Sequence, residues 1–356
     1  MTNALITGWG MYAPSRIMSN HDLENLVDTS DEWIVSRTGI RERRIAADDE
    51  TTTTLSVHAA RDALAVAGMA PEELDLVILG TCSPDYYMPA TAVLVAHELG
   101  ATRAAGFDLM AACSGFVFSL ATATAYVRSG MYRNILVIGV ELLSRFLDYT
   151  DRNTCVLFGD GAGAVIVSAS DAPGGLLGMD MYSDGSGKEG IIFPAGGSAC
   201  PTTPKTVAEG GHFVHMAGKE VYRYATRQLA ESARAALRDA GLTVDDVDQF
   251  LFHQANLRII ESVQNAVGIP PDKTYLNIEK YGNTSAASVP MALVEAVAAG
   301  RIQPGDRLLM VAFGAGYTAG AAVVEWTADP QRAFLAPGAQ TRMDKPMREL
   351  AEVGAA

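Results

Sequence analysis

Three side chains suited to nucleophilic catalysis, a cysteine, a histidine and an asparagine, stand at the ends of predicted strands and turns. Cys113 follows an apolar strand ending in two alanines and directly precedes a small-residue helix. A tight strand-to-helix turn of this kind presents its side chain above the sheet edge, as nucleophile elbows do. The positive end of the helix dipole lowers a thiol pKa and enriches the thiolate. We therefore expect Cys113 to be a nucleophile, the alternative being a small core residue.

His253 and Asn283 are the candidate partners of this thiol. His253 ends the apolar strand Gln249–Phe252 and is followed by two amides within three residues. Such a polar strand end is available for chemistry, although the histidine could simply cap the next helix. Asn283 lies in a glycine turn before a second small-residue helix, where an asparagine is usually an N-cap.

An internal repeat relates these positions to each other. Segments 60–83 and 233–256, at an offset of 173 residues, share seven identities and the order helix, glycine stop, acidic turn, apolar strand. Cys113 and Asn283 each precede a small-residue helix that leads into a buried strand. Two correspondences in the same order predict a duplication. We expect Asn283 to match Cys113 in position, and both to approach His253 about a pseudo-twofold axis.

The duplication predicts an α/β fold made of two similar halves, residues 1–173 and 174–327, whose sheets are covered by helices. The nucleophile lies in the first half, and the histidine and asparagine lie in the second. Residues 328–356 have no clear apolar period and form a predicted tail, with a short helix near 347–353.

Composition excludes several function classes. Hydrophobic residues make up 49% and charged residues 19% of the 356 residues, which is typical of a well-packed α/β protein. The net charge is −14 and Lys/Arg cluster only at 41–44, so no nucleic-acid surface is expected. No apolar run is long enough to span a membrane, and no export signal is recognisable. The four cysteines are therefore predicted to be reduced thiols in the cytoplasm.

Two glycine-rich runs, 158–163 and 314–320, lead into strands rather than helices. Neither therefore has the helix N-terminus that a dinucleotide site needs. The second run could supply a backbone N–H to an oxyanion, because glycines let the main chain approach a substrate. We predict no cofactor and no metal.

These motifs resemble those of the β-ketoacyl-acyl carrier protein synthase III enzymes, within the thiolase-like superfamily. The resemblance covers about residues 2–327. The matching motifs are 29–34 (TSDEWI), 37–41 (RTGIR), 112–115 (ACSG), 158–163 (FGDGAG), 253–258 (HQANLR), 282–285 (GNTS) and 313–316 (FGAG).

The resemblance implies a five-layered α/β/α/β/α fold, a homodimer and a decarboxylative condensation that initiates fatty acid synthesis. Cys113 would take an acyl group from acyl-CoA, with the N–H groups of Cys113 and Ala315 as the oxyanion hole. His253 and Asn283 would bind the thioester carbonyl of malonyl-acyl carrier protein and stabilise the enolate left by decarboxylation.

The resemblance also assigns binding residues. Trp33 and Arg152 would sandwich the CoA adenine, and Met88 would cross the dimer interface into the partner's acyl pocket. The other positions near CoA phosphates or pantetheine are Arg37, Asn256 and Arg258. The expected carrier-protein contacts are Arg223, Gln254, Ala255, Asn256, Leu257 and Arg258.

Three departures from the family pattern leave alternatives open. Met88 stands where phenylalanine is frequent, Gln264 and Asn265 stand where some members carry lysines, and the tail extends beyond the usual end. The main alternative is a starter-unit or ester-forming acyltransferase of a specialised pathway. A cysteine hydrolase and a non-catalytic carrier-binding homologue are more distant. A biosynthetic thiolase is disfavoured, because no cysteine lies beyond Cys200.

Overall fold

Two large β-sheets run through residues 2–332, which are the residues that the computed structural model describes. The strands are β1 (Asn3–Tyr12), β2 (Arg16–Ser19), β3 (Glu42–Ile45), β4 (Leu76–Gly80), β5 (Ala105–Leu109), β6 (Asn134–Glu141), β7 (Gly161–Ser170), β8 (Gly175–Tyr182), β9 (Ile191–Ile192), β10 (His215–Met216), β11 (Gln249–Phe252), β12 (Arg307–Gly314) and β13 (Thr318–Glu325).

Helices cover and separate these sheets. They are α1 (Asn20–Glu24), α2 (Asp31–Thr38), α3 (Thr52–Ala67), α4 (Thr91–Leu99), α5 (Gly115–Arg128), α6 (Pro204–Ala208), α7 (Gly218–Asp239), α8 (Leu257–Val267), α9 (Ile278–Tyr281) and α10 (Ser288–Ala298). The helix expected near 347–353 lies outside the described residues.

The two sheets share one topology. Their strand orders are β1-β7-β6-β4-β5 and β8-β13-β12-β11. In each sheet a parallel pair (β4–β6, β11–β12) adjoins an antiparallel pair (β6–β7, β12–β13). A parallel bridge between Phe250 and Thr274 stands where β5 lies in the first sheet. The chain passes from one sheet to the other between Ser170 and Gly175, where the predicted boundary at residue 173 falls.

The layers follow from which faces are apolar. One core contains α5 and α10 together with the inner faces of both sheets, through residues such as Phe116, Leu293, Val137 and Met310. A helix buried on nearly all sides must be mostly apolar, and α10 accordingly reads SVPMALVEAVA, with Glu295 only partly buried. The outer faces pack against α3 and α4 on one side and α7 and α8 on the other. The fold is therefore the five-layered α/β/α/β/α arrangement of the thiolase-like proteins.

The two halves meet at short 3-10 turns that precede α5 and α10. The turns are Ala112–Ser114 and Ser285–Ala287, and their first residues have φ angles of 47° and 48°. These turns are 173 residues apart, the same offset as the repeated helix and strand. The residue that matches Cys113 is therefore Ala286. The predicted match with Asn283 is wrong by three residues, because the second turn begins after Asn283 rather than at it.

Backbone segments of the two halves approach each other closely at this meeting point. A Cβ atom on Gly139 of β6 would lie 2.2 Å from the carbonyl oxygen of Ala286. No side chain fits at that distance, so glycine is required by close approach rather than by an unusual φ angle.

We expect Gly139→Ala to destabilise the protein by about 1–3 kcal/mol or more, because the added methyl group must displace the Ala286 turn. Denaturant unfolding measures the loss. Gly197→Ala is the matched control, since a Cβ atom there would meet nothing within 4 Å. Equal stability of the two variants would contradict this account of how the halves pack.

Candidate active site

A cavity of about 800 Å³ opens beside the two turns and receives side chains from both halves. Its lining includes Cys113, His253, Asn283 and Ala315, so the four residues predicted to act together share one space. They come from the turn before α5, the end of β11, the loop before α10 and the end of β12.

The Cys113 thiol is buried at the floor of this cavity, with 9% of the residue exposed. Its Sγ lies 3.2 Å from Ser285 Oγ, within hydrogen-bond distance. Burial raises the pKa of Cys113 to about 12, opposed by the Ser285 hydrogen bond and reinforced by nearby Glu141. The expected lowering of this pKa is therefore wrong. Desolvation by burial outweighs the interactions that lower this pKa, and the resting group is a thiol.

His253 is fixed at its backbone and at one ring nitrogen. Its N–H donates to Val311 O at 2.7 Å, and its Nδ1 lies 2.7 Å from Ser288 Oγ. Ser288 Oγ is also placed to donate to Ser285 O at 2.8 Å. Burial lowers the pKa of His253 to about 3, so the ring is neutral. Nε2 makes no hydrogen bond within residues 2–332 and is the nitrogen available to a ligand.

Asn283 is held by its backbone and by its side-chain oxygen. Its N–H donates to Leu157 O at 2.8 Å, and its carbonyl accepts from Gly159 N at 3.1 Å. Oδ1 accepts from Ser285 N at 2.9 Å. Because this bond assigns the oxygen end of the amide, the Nδ2 donor is left for a ligand.

The glycine-rich segment after β12 packs directly on the cysteine turn. A Cβ atom on Gly314 would lie 2.6 Å from Cys113 N. Thr318 Oγ1 donates to Ala111 O at 2.9 Å, which ties the two segments together. Ala315 follows Gly314 and lines the cavity, as expected of an oxyanion-hole residue.

A buried carboxylate that the sequence analysis missed lies behind the cysteine. Glu141, at the end of β6, is 0% exposed. Its Oε1 accepts from Ser285 Oγ at 3.1 Å and Cys82 Sγ at 3.2 Å. Its Oε2 accepts from Ser83 Oγ at 2.5 Å and Thr81 Oγ1 at 3.2 Å. Burial raises the pKa of Glu141. The only sequence signal was a charged residue ending an otherwise apolar strand.

Cationic and aromatic side chains line the outer part of the cavity. The guanidinium carbons of Arg37 and Arg152 lie 4.5 and 5.0 Å from the centroid of the Trp33 ring. Arg152 is also anchored, because Nη1 donates to Asp28 O at 2.8 Å. Its guanidinium is within cation–π distance of the Trp33 ring, so the two side chains already contact each other. The adenine ring predicted to lie between Trp33 and Arg152 can enter only if Arg152 moves.

The residues predicted to contact a carrier protein differ in their exposure. Gln254 is 1% exposed, and its amide bonds internally to Phe252 O, Tyr275 O and Asn277 N. Its predicted contact with a carrier protein is therefore wrong, because no polar atom is left to offer. Ala255 and Asn256 line the cavity, Leu257 is half-buried, and Arg223 and Arg258 are exposed outside the lining.

Three further positions lie away from the cavity. Gln264, which replaces a lysine of some members, is buried and donates to Thr274 Oγ1 at 2.8 Å, whereas Asn265 is exposed. Met88 is 81% exposed and does not line the cavity of its own chain.

Two features are absent from residues 2–332. Within them, no three His, Cys, Asp or Glu side chains are grouped closely enough to hold a metal ion. None of the helices there has the length and apolar character needed to cross a membrane.

Comparison with known proteins identifies the family of similar chains. Family models described as 3-Oxoacyl-[acyl-carrier-protein (ACP)] synthase III and its C terminal match residues 107–185 and 237–326. The beta-ketoacyl-[acyl-carrier-protein] synthase III of Roseiflexus castenholzii is 51% identical over 325 residues, covering 91% of this chain and 98% of the relative.

Solved structures extend the match to the fold. The 3-oxoacyl-[acyl-carrier-protein] synthase III of Aquifex aeolicus has a TM-score of 0.84 and 44% identity, covering 92% of this chain and all of the other. The priming beta-ketosynthase from the R1128 polyketide biosynthetic pathway has a TM-score of 0.86 and 40% identity, covering 92% and 97%.

Proposed function

The chain belongs to the β-ketoacyl-[acyl-carrier-protein] synthase III family, and we propose that Cys113, His253 and Asn283 carry out its two half-reactions. It is an acyltransferase that condenses an acyl-CoA primer with malonyl-acyl carrier protein. The observation that carries the residue assignment is the convergence of these three side chains, from two halves of the chain, on one cavity.

The first half-reaction loads the enzyme. Cys113 Sγ attacks the carbonyl carbon of the acyl thioester, and the C–S bond to CoA then breaks. Negative charge develops on the carbonyl oxygen. The N–H groups of Cys113 and Ala315 are proposed to accept it, which fits the packing of Gly314 against Cys113 N.

The second half-reaction makes the carbon–carbon bond. His253 Nε2 and Asn283 Nδ2 donate to the thioester carbonyl of malonyl-acyl carrier protein, and loss of carbon dioxide leaves an enolate that attacks the acyl-cysteine. A neutral imidazole carries one N–H. For Nε2 to be the donor, the Ser288 hydroxyl must donate to Nδ1 instead of to Ser285 O. Because burial keeps the imidazole neutral, only one of its two nitrogens can donate, and the tautomer therefore decides whether Nε2 can bind the substrate carbonyl.

Substrate binding is assigned to the outer cavity. We propose that CoA enters beside Trp33, Arg37 and Arg152, with Asn256 along the pantetheine. Exposed Arg223 and Arg258 are suited to an acidic carrier protein, with Ala255 and Leu257 beside them. No resident cofactor is needed for these steps.

We propose that the enzyme is a homodimer. Tyr86, Tyr87 and Met88 are 61%, 82% and 81% exposed, and consecutive large apolar side chains of this kind are typical of an interface. The four free cysteines favour a reducing compartment, the cytoplasm.

A second candidate function is priming of a specialised pathway by the same chemistry. The similarity to the priming beta-ketosynthase from the R1128 polyketide biosynthetic pathway favours it. The two functions differ in the acyl primer, and intact-mass measurement of acyl-enzyme formed with a panel of acyl-CoAs distinguishes them.

We expect Cys113→Ala to abolish acyl-enzyme formation, because the other thiol lining the cavity, Cys82, is engaged with Glu141. Radiolabelled acetyl-CoA should leave one acyl mass on the wild type and none on the variant. Cys200→Ala is the control and should be labelled normally. Label mapped to Cys82, Cys155 or Cys200 would refute the assignment.

We expect His253→Ala and Asn283→Ala to separate the two half-reactions. Both should still self-acylate, because the hydrogen bond to Cys113 Sγ comes from Ser285 rather than from either residue. Each should lose decarboxylation by roughly 10²–10³-fold, the usual effect of removing one oxyanion donor. Carbon dioxide release from malonyl-acyl carrier protein is the measurement, with exposed His97→Ala as control. A wild-type rate in either variant would contradict the role.

We expect Met88 to set primer length across the proposed dimer interface. Methionine is unbranched and can fold aside for a longer acyl group, whereas phenylalanine is rigid. The wild type should therefore accept four-carbon and branched primers. Met88→Phe should restrict the range of accepted primers to acetyl-CoA, since each methylene accommodated in a pocket is worth about 1–3 kcal/mol of discrimination.

The measurement for Met88 is kcat/KM for acetyl-, butyryl- and isobutyryl-CoA. Met131→Phe is the matched control, because Met131 is also exposed (62%) and lies outside the cavity. If the ratios of kcat/KM among the three acyl-CoAs are the same in Met88→Phe as in the wild type, Met88 does not form part of the acyl pocket.

A further inference from the structure

A chain of two buried hydrogen bonds links the Cys113 thiol to the Glu141 carboxylate. Ser285 Oγ lies 3.2 Å from Cys113 Sγ and 3.1 Å from Glu141 Oε1. The hydroxyl has one hydrogen and can donate to only one of these atoms at a time. When it donates to the carboxylate it can accept from the thiol, and when it donates to a thiolate it can accept from a carboxylic acid.

Glu141 has no cation to neutralise it. Among the described residues it forms no salt bridge, and its hydrogen-bond donors are the hydroxyls of Thr81, Ser83 and Ser285 and the amide and thiol of Cys82. The titratable groups that face it are the thiols of Cys82 and Cys113. A buried carboxylate without a cation is costly, and the groups that contact this one are all hydrogen-bond donors.

We propose that Glu141, acting through Ser285, is the proton acceptor that activates Cys113. This rests on Cys113 as the nucleophile. As Sγ attacks the acyl thioester, the S–H bond breaks and its proton passes to Ser285 Oγ, while the Ser285 proton passes to Glu141 Oε1. Glu141 becomes neutral, CoA leaves as its thiolate, and that thiolate takes a proton from solvent.

The same route runs backwards in the condensation step. When the enolate attacks the acyl-cysteine, the C–S bond breaks and Cys113 departs as a thiolate. Ser285 donates its proton to Sγ and receives one from Glu141, which restores the starting carboxylate. The single proton consumed overall is the one that CoA takes from solvent, and it balances the carboxylate lost as carbon dioxide.

His253 is poorly placed for this task. Its Nδ1 is engaged with Ser288, and burial lowers its pKa to about 3, which makes it a weak proton acceptor. Ser285, by contrast, is held in the left-handed region at φ 48°, with its N–H bonded to Asn283 Oδ1. A serine fixed in this conformation keeps its hydroxyl between sulfur and carboxylate.

A shared proton has a distinctive pH signature. Over the range in which thiol and carboxylate together hold one proton, the fraction present as thiolate and carboxylic acid does not change with pH. Reactivity of Cys113 is then flat. An isolated thiol of high pKa instead becomes about tenfold more reactive for each pH unit.

The experiment measures Cys113 alkylation by iodoacetamide and single-turnover acylation by acetyl-CoA, from about pH 7 to about pH 9, with label quantified at Cys113 by peptide mapping. The wild type should give a flat profile. Glu141→Gln and Ser285→Ala should rise about tenfold per pH unit and be roughly 100-fold slower at pH 7, the usual contribution of a positioned base. Ser83→Ala removes a Glu141 contact outside the route and should keep the flat profile.

Each outcome decides the proposal. A rising profile in the wild type, or a flat one in folded Glu141→Gln, overturns it. Should Glu141→Gln fail to fold, Ser285→Ala alone decides, because a flat profile there excludes transfer through the hydroxyl. Acyl label on a cysteine other than Cys113 would instead refute the proposed nucleophile, so the two failures are distinguishable.

Discussion

The contact between the two buried turns is the constraint on which the active site depends. Helices α5 and α10 lie between the sheets, and their turns meet where glycine allows the Ala286 carbonyl to approach β6. This contact sets Ser285 of one half against Cys113 of the other. Neither half alone contains a nucleophile together with the donors that polarise its substrate, so the chemistry depends on the packing of both halves.

Burial at this contact shifts the pKa values of the three titratable groups around the sulfur. It raises the pKa of the Cys113 thiol, lowers that of His253 and raises that of Glu141, because each charged form loses its hydration. Buried polar groups must then find hydrogen bonds within the protein. Two hydroxyls of the second half contribute, with Ser285 joining sulfur to carboxylate and Ser288 fixing the imidazole. Low polarity also strengthens the donors that face the substrate.

Much of the scaffold could be predicted from local patterns. The strand predicted at Gln249–Phe252 has the observed bounds, because a continuous apolar run bounded by turn residues defines a buried strand. The turn holding Cys113 was recognisable from its small residues. The match with Asn283 was wrong by three residues, since small residues alone do not reveal which one adopts the positive φ angle.

The features that could not be predicted from the sequence depend on contacts between residues far apart in the chain. The pKa of Cys113 was predicted in the wrong direction, because the dipole argument considers only the following helix and omits desolvation by burial. The role of Glu141 could not be recognised from a local motif, since the side chains that bond to it lie 58 to 144 residues away. Gln254 was assigned to carrier-protein contact by the resemblance, yet its amide bonds to the backbone of Phe252, Tyr275 and Asn277.

The duplicated scaffold explains why catalytic roles divide between the halves. Equivalent positions carry different residues: Cys113 corresponds to Ala286, and His253 corresponds to Gly80. Gly80 must stay small, because a Cβ atom there would lie 2.7 Å from the Gly115 backbone. The first half therefore has no room for a histidine at its strand end and presents the nucleophile. The second half has Ala286 at the position equivalent to Cys113. It instead supplies the Ser285 hydroxyl, the His253 imidazole and the Asn283 amide around the site.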